Sequence, residues 1–216
     1  MKIKVCGMRI EENIKDLIQL DPNYIGFIFY EKSPRFVGDM LSESFVKSIP
    51  SSIKKVGVFV NANPGYIMDM VKKYDLQYAQ LHGQELPDMC RSLRQKGINI
   101  IKAFSISSDF NFAMLNNYAP YCDLFLFDTK GENPGGNGIT FDWSLLKKYD
   151  HQKPFLISGG ISLDNIETII ALSNEFPIYG IDVNSKFEIE PGHKDLQKVE
   201  QLFDIVRIKE TEVAEA

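Results

Sequence analysis

The chain repeats a two-part hydrophobic pattern: a short, nearly continuous apolar run, then a segment whose apolar residues recur at helical spacing. IKVCGM at 3–8 is followed by Ile10, Ile14, Leu17 and Ile18, an i, i+4, i+7, i+8 stripe that predicts a helix. YIGFIFY at 24–30 precedes a helical stretch around 41–49. KVGVFV at 55–60 precedes Pro64, suited to a first helical turn, and the stripe Ile67, Met70, Val71, Tyr74. YAQLHG at 78–83 leads to a helix over 85–96, and NIIKAFSI at 99–106 to a weaker one over 110–119, where Asn116 and Asn117 interrupt the pattern. LFLFDT at 124–129 runs into the glycine-rich GENPGGNG and then a helix from about Trp143. PFLISGG at 154–160 precedes Ile166, Ile169, Ile170 and Leu172, and IYGIDVNS at 178–185 precedes Leu196, Val199, Leu202, Phe203 and Val206.

Eight strand-then-helix units result. Each crossover must carry the chain back over the sheet, so the strands pair in parallel. Several runs are apolar throughout, as strands buried on both faces are. The expected class is α/β, a single (β/α)8 TIM barrel over 1–209, with 210–216 a frayed tail. An open doubly wound sheet is the alternative, but it favours a GxGxxG turn after the first strand, and VCGMRI does not supply one.

Composition narrows the classes. With 44% hydrophobic residues among 216, the chain is not a disordered one. No run approaches the ~20 apolar residues of a spanning helix. The start, MKIKVCGMRI, lacks the apolar stretch of a secretion signal, so a cytoplasmic protein without a membrane partner is expected. Cys6, Cys90 and Cys122 form no CxxC pair and His82, His151 and His193 no HxxxH pair, so neither a disulfide framework nor a resident metal is expected. The net charge of −5 argues against nucleic acid, and Lys54-Lys55 and Lys147-Lys148 read as solvated faces.

A barrel of this type carries its chemistry at the C-terminal ends of its strands. The residues there are Cys6, Ser33-Pro34-Arg35, Asn61, His82, Ser105, Asp128, Ser158-Gly159-Gly160 and Asn184-Ser185. Cys6 closes the first strand, with Lys4 on the same face, where a cation could favour the thiolate. Asp128 ends the sixth strand ahead of a loop rather than a helix start. One acid and one base in these positions suit proton shuttling on a sugar. Gly159-Gly160 and Asn184-Ser185 fall where barrels bind phosphate through backbone amides. Arg35 offers a planar partner for a carboxylate. Gly135, Gly136 and Gly138 would form a flexible lid.

Taken together, KVCGM (4–8), GFIFYEKSPRFV (26–37), VGVFVN (56–61), QLHG (80–83), FDTK (127–130), GGNG with FDW (135–143), ISGGI (157–161) and DVNSKFEIEPGHKD (182–195) resemble the phosphoribosylanthranilate isomerase family. The resemblance implies a cofactor-free Amadori rearrangement in tryptophan biosynthesis, on a small phosphorylated substrate. It implies Cys6 as general base, Asp128 as general acid, Arg35 as partner of the anthranilate carboxylate, and a phosphate site at Gly159, Gly160, Asn184 and Ser185. His82 of QLHG is a further substrate-binding candidate, and a monomer is the expected state. An acid at Asp128 needs a raised pKa, expected from burial under LFLF and from the anionic substrate. GGNG stands where the family commonly has GGTG, and Lys186 where many members have glycine. A metal-dependent epimerase would need ligands at several strand ends, and a histidine-pathway isomerase paired aspartates; neither set is present.

Overall fold

The computed structural model describes residues 1–129, 143–149 and 153–214. Eight parallel strands close into a barrel in sequence order: β1 (Lys2–Val5), β2 (Tyr24–Ile28), β3 (Lys54–Phe59), β4 (Tyr78–Leu81), β5 (Asn99–Ile106), β6 (Leu124–Thr129), β7 (Phe155–Ser158) and β8 (Ile178–Val183). The last strand pairs with the first, Lys4 standing beside Asp182. The helices are α1 (Glu11–Ile18), α2 (Glu43–Ser48), α3 (Pro64–Tyr74), α4 (Pro87–Gln95), α5 (Ile166–Leu172) and α6 (Leu196–Ala214). None of them is long and apolar enough to cross a membrane.

Alternation along the strands sorts two cores. Ile101 and Ala103 of β5, Leu124 and Leu126 of β6, and Leu156 of β7 join Tyr24 and Val56 in a small cluster, the barrel interior. Their neighbours Ile100, Phe104, Phe125, Phe127 and Phe155 belong to the larger core beneath the helices. At the N-terminal end the interior is plugged by Tyr24, whose hydroxyl lies 3.0 Å from that of Tyr179 and whose ring meets Tyr78 edge-on. At the C-terminal end the inward positions turn polar: Lys4, Gln80, Asp128, Ser158 and Asp182. Charge inside a barrel must be paired, and that requirement shapes the mouth.

Several boundaries differ from the pattern. Units five and six carry 3₁₀ turns, Phe112–Asn117 and Trp143–Lys148, instead of α-helices. The pair Asn116-Asn117 bonds its own backbone too readily to extend a helix. The chain beyond Lys209, expected to fray, continues α6 to Ala214, in keeping with the helix-forming Glu and Ala there. Lys147 and Lys148 are exposed as expected, but Lys55 is not on a solvated face. Its side chain is 3% exposed, because period-two alternation turns it under α3, where Asp75 accepts its hydrogen bond at 2.9 Å. Lys4, Lys102 and Lys194 are likewise buried, against Asp182, Glu85 and Glu188.

After β8 the chain makes a 3₁₀ turn, Ser185–Phe187, and then a hairpin of β9 (Glu188–Glu190) and β10 (His193–Lys194). Pro191-Gly192 forms its bend, Gly192 having φ +86°.

Candidate active site

The mouth is built on β1, β6, β7 and β8. Cys6 continues the ladder past β1, its amide donating to Val183 O at 2.9 Å, and is 4% exposed. Gly7 follows with φ +76°, a conformation that a side chain disfavours, and a Cβ there would stand 2.7 Å from Asn184 Oδ1 and 2.8 Å from Arg35 Cδ. The turn after Cys6 is thus pressed between the loops of β2 and β8. A Cβ on Gly26 would lie 2.8 Å from Cys6 Sγ and 3.1 Å from Lys4 Nζ, so thiol and ammonium border the same small space.

Lys4, fully buried, donates to Asp182 Oδ1 at 2.8 Å, and Ser158 Oγ donates to Asp182 Oδ2 at 3.3 Å. The register continues the row around the wall, Ser158 beside Asp128 and Asp128 beside Ser105. Burial alone would push the Lys4 ammonium down, but Asp182 and Cys6 outweigh it and its pKa is raised. For Cys6 burial wins: the thiol is pushed up despite the pull of Lys4, with Asp182 adding to the rise and Lys194 opposing it. The expected thiolate-favouring effect of Lys4 is therefore present but outweighed, since the ammonium is shared with a carboxylate in a dry interior.

Asp128 keeps 22% of its side chain exposed. Phe125, Leu126 and Phe127 are fully buried, yet the carboxylate itself reaches the mouth, so LFLF does not enclose it as expected. Its Oδ2 lies 3.3 Å from His82 Nε2, and His82 Nδ1 lies 2.9 Å from the Gln80 amide nitrogen. With the amide so oriented, Gln80 donates to Nδ1, which leaves the ring proton on Nε2 to donate to Asp128. Gln80 Oε1 is buried without a hydrogen-bond partner.

Gly159 and Gly160 both have positive φ, +86° and +65°, which explains the glycine pair: the turn after β7 needs residues without Cβ. Asn165 closes it, donating to Gly160 O at 2.9 Å and accepting from Ser162 N at 3.0 Å. Asn184 Oδ1 accepts from Lys194 Nζ at 2.7 Å, Ser185 opens the following 3₁₀ turn, and Lys186 is exposed. Arg35 lies on the same side as Cys6, its guanidinium held by Glu188. Gly135, Gly136 and Gly138 lie outside the described residues. Among the described residues no cluster of three or more His, Cys, Asp or Glu is arranged to hold a metal.

The structure thus brings Cys6, Arg35 and Asn184 together on one side and Asp128 with His82 on the other, with the Gly159-Gly160 turn between them along the rim. Asp182, Glu188 and Lys194 are absent from the sequence-derived set. A lysine on the inward face of a strand was the available signal for Asp182, since buried cations need partners. Glu188 and Lys194 stood within the DVNSKFEIEPGHKD stretch.

Known proteins match the whole of this architecture. The family model described as N-(5′-phosphoribosyl)anthranilate (PRA) isomerase matches residues 3–205. N-(5′-phosphoribosyl)anthranilate isomerase from Parabacteroides distasonis is 48% identical over 200 residues, which is 92% of this chain and 90% of that protein. The crystal structure of phosphoribosyl anthranilate isomerase from Thermus thermophilus superposes with a TM-score of 0.83 at 25% identity, covering 96% of this chain and 98% of that one. A further phosphoribosyl anthranilate isomerase, solved in complex with reduced 1-(o-carboxyphenylamino)-1-deoxyribulose 5-phosphate, superposes at 0.76 with 29% identity, covering 94% and 96%.

Proposed function

The chain belongs to the phosphoribosylanthranilate isomerase family, and from that premise we propose that it converts N-(5′-phosphoribosyl)anthranilate to 1-(2-carboxyphenylamino)-1-deoxyribulose 5-phosphate in tryptophan biosynthesis. Asp128 protonates the furanose ring oxygen, the C1′–O bond breaks, and the anthranilate nitrogen lone pair forms the iminium. Cys6, as thiolate, then takes the C2′ proton to give the enaminol, which tautomerises to the ketone. One proton is given and one taken, so the reaction is an isomerisation without an external cofactor.

The observation that carries this reading is the placing of Cys6 and Asp128 at one barrel mouth, three strands apart through β8 and β7. At about 4.8 Å per strand this is roughly 14 Å of wall, room for a sugar between them. Arg35 is the partner of the anthranilate carboxylate. Backbone amides at Gly159-Gly160 and Asn184-Ser185 hold the phosphate, and His82 contacts substrate while steadying Asp128.

Asp128→Asn is expected to cut turnover by about 10²–10⁴-fold with folding intact, followed by the loss of anthranilate fluorescence. Cys6→Ser is expected to abolish C2′ proton exchange with solvent. Near-normal rates for the first, or persistent exchange in the second, would overturn the assignments.

The same reading makes this a cytoplasmic monomer, acting on a small molecule and not on nucleic acid or membrane. A phosphosugar bearing a carboxylate as well does not cross a bilayer unaided, which supports a site of action shared with its source. The sequence carries no interface signature, the ground on which a monomer is proposed. Light scattering on the eluting protein tests that state.

A further inference from the structure

Arg35 is not a free arginine waiting for an anion. Its Nε lies 2.9 and 3.0 Å from the two carboxylate oxygens of Glu188, and its Nη2 lies 2.6 Å from Oε2. Glu188 is itself held, accepting from Lys194 Nζ at 2.6 Å and from Gly192 N at 3.0 Å. Lys194 also donates to Asn184 Oδ1 at 2.7 Å, which ties the hairpin back to the end of β8. The anchor is out of water: the side chain of Glu188 is 4% exposed and that of Lys194 is fully buried, while Arg35 keeps 14% of its side chain exposed.

A guanidinium has two edges that can each grip a carboxylate, one formed by Nε with a terminal nitrogen and one by the two terminal nitrogens. Glu188 takes the first edge. The second, Nη1 with the remaining hydrogen of Nη2, is thereby fixed in direction, because a planar group held side-on cannot swing. The stem of the same arginine packs against the Cys6–Gly7 turn, so its head is fixed relative to the thiol. The charges also matter. Arg35 and Lys194 against Glu188 leave one net positive charge in a chain whose formal charge is −5.

We infer that Glu188 is a specificity-determining positioning residue: it holds Arg35 side-on so that the outer guanidinium edge receives the aromatic carboxylate of the substrate, with Lys194 and the Gly192 amide holding Glu188 in turn. The inference rests on the reading of Arg35 as the carboxylate partner. It differs from a purely electrostatic view in sign. By charge alone, neutralising Glu188 adds positive potential and strengthens anion binding. By positioning, it weakens recognition of the carboxylate.

The test compares kcat/KM for N-(5′-phosphoribosyl)anthranilate with that for the analogue lacking the carboxylate, N-(5′-phosphoribosyl)aniline, in wild type, R35Q and E188Q. The ratio is expected to fall on the order of 10- to 100-fold in R35Q, as for loss of a charged hydrogen-bonding partner. E188Q is expected to lose most of the same ratio, through KM for the carboxylate substrate. If R35Q keeps the ratio, Arg35 is not the carboxylate partner and both readings fall. If R35Q loses it while E188Q keeps or raises it, the inference about Glu188 alone falls. Should E188Q fold poorly by thermal melting, E188D sets the carboxylate back by one methylene. It is expected to lose part of the ratio, and an unchanged ratio there overturns the inference equally.

Discussion

Cys6 gains its setting from three charged residues that do not themselves react. Lys4 on β1, Asp182 on β8 and Lys194 on the hairpin are the charged groups that act on its thiol. Only the two lysines pull its pKa down. Lys4→Met removes one of them and leaves Asp182 unpaired beside the sulfur, so the thiol pKa rises further. On the proposal that Cys6 acts as thiolate, the acid limb of the kcat/KM–pH profile is expected to move to higher pH. The neutral rate falls about tenfold for each unit of that shift. Lys4→Met with Asp182→Asn deletes both charges and is expected to show a smaller displacement; an unmoved limb in both variants would deny Lys4 this influence. Of this arrangement, Cys6, Asp128 and even the inward face of Lys4 were legible in the sequence, since period two places Lys4 and Cys6 together. Asp182 was not, because it sits 178 residues away and only barrel closure brings it to Lys4.

At the scale of elements, local chemistry is plainest where the ends are written in side chains. The helix α3 opens with Asn63, whose Oδ1 accepts from Gly65 N at 2.8 Å, followed by Pro64 in the first turn. It ends at Asp75 in the left-handed region, φ +50°, and the same Asp75 takes the hydrogen bond of Lys55. Asn63→Ala is expected to cost about 1 kcal/mol, seen as a Tm lower by roughly 2–4 °C. The strands were legible within one to three residues, because apolar runs of that length have few other uses. The β9–β10 hairpin was not: Glu188 to Lys194 is short and carries a single apolar strand residue, Ile189, and only Pro191-Gly192 marks the bend. Its place is fixed by the tertiary ion pair of Glu188 with Arg35 and by Asn13, whose Oδ1 accepts from Lys194 N at 2.8 Å. The Gly159-Gly160 turn lay between these cases, its special backbone readable but its closure by Asn165 not.

For the whole molecule, acidity and fold are linked through paired carboxylates. Glu188 stays below the ordinary carboxylate range: burial opposes this, but Arg35, Lys194 and the Gly192 amide outweigh it. Asp75 is lowered too, chiefly by the hydrogen bond from Lys55. A carboxylate depressed by folding lends stability that is complete above its unfolded pKa, near ~4, and is lost as pH falls through the lower folded value. The Tm is therefore expected to hold steady above about pH 5 and to drop progressively below it. Asp75→Asn is expected to flatten part of that drop, and an equally steep fall in the variant would remove Asp75 from the account.

The seam between β1 and β8 has a consequence for how the protein comes into being. Lys4 and Cys6 are made well before Asp182 and Lys194, the other charged groups that act on the thiol. Residues 1–150 emerging during synthesis carry the thiol and Asp128 yet lack Asp182, Glu188 and Lys194, so a partial chain holds an ordinary thiol and no oriented arginine. The proton affinity of the thiol in the fold is set only when the circle is complete. Until then the thiol keeps its ordinary proton affinity, and it is burial in the closed barrel that pushes its pKa up.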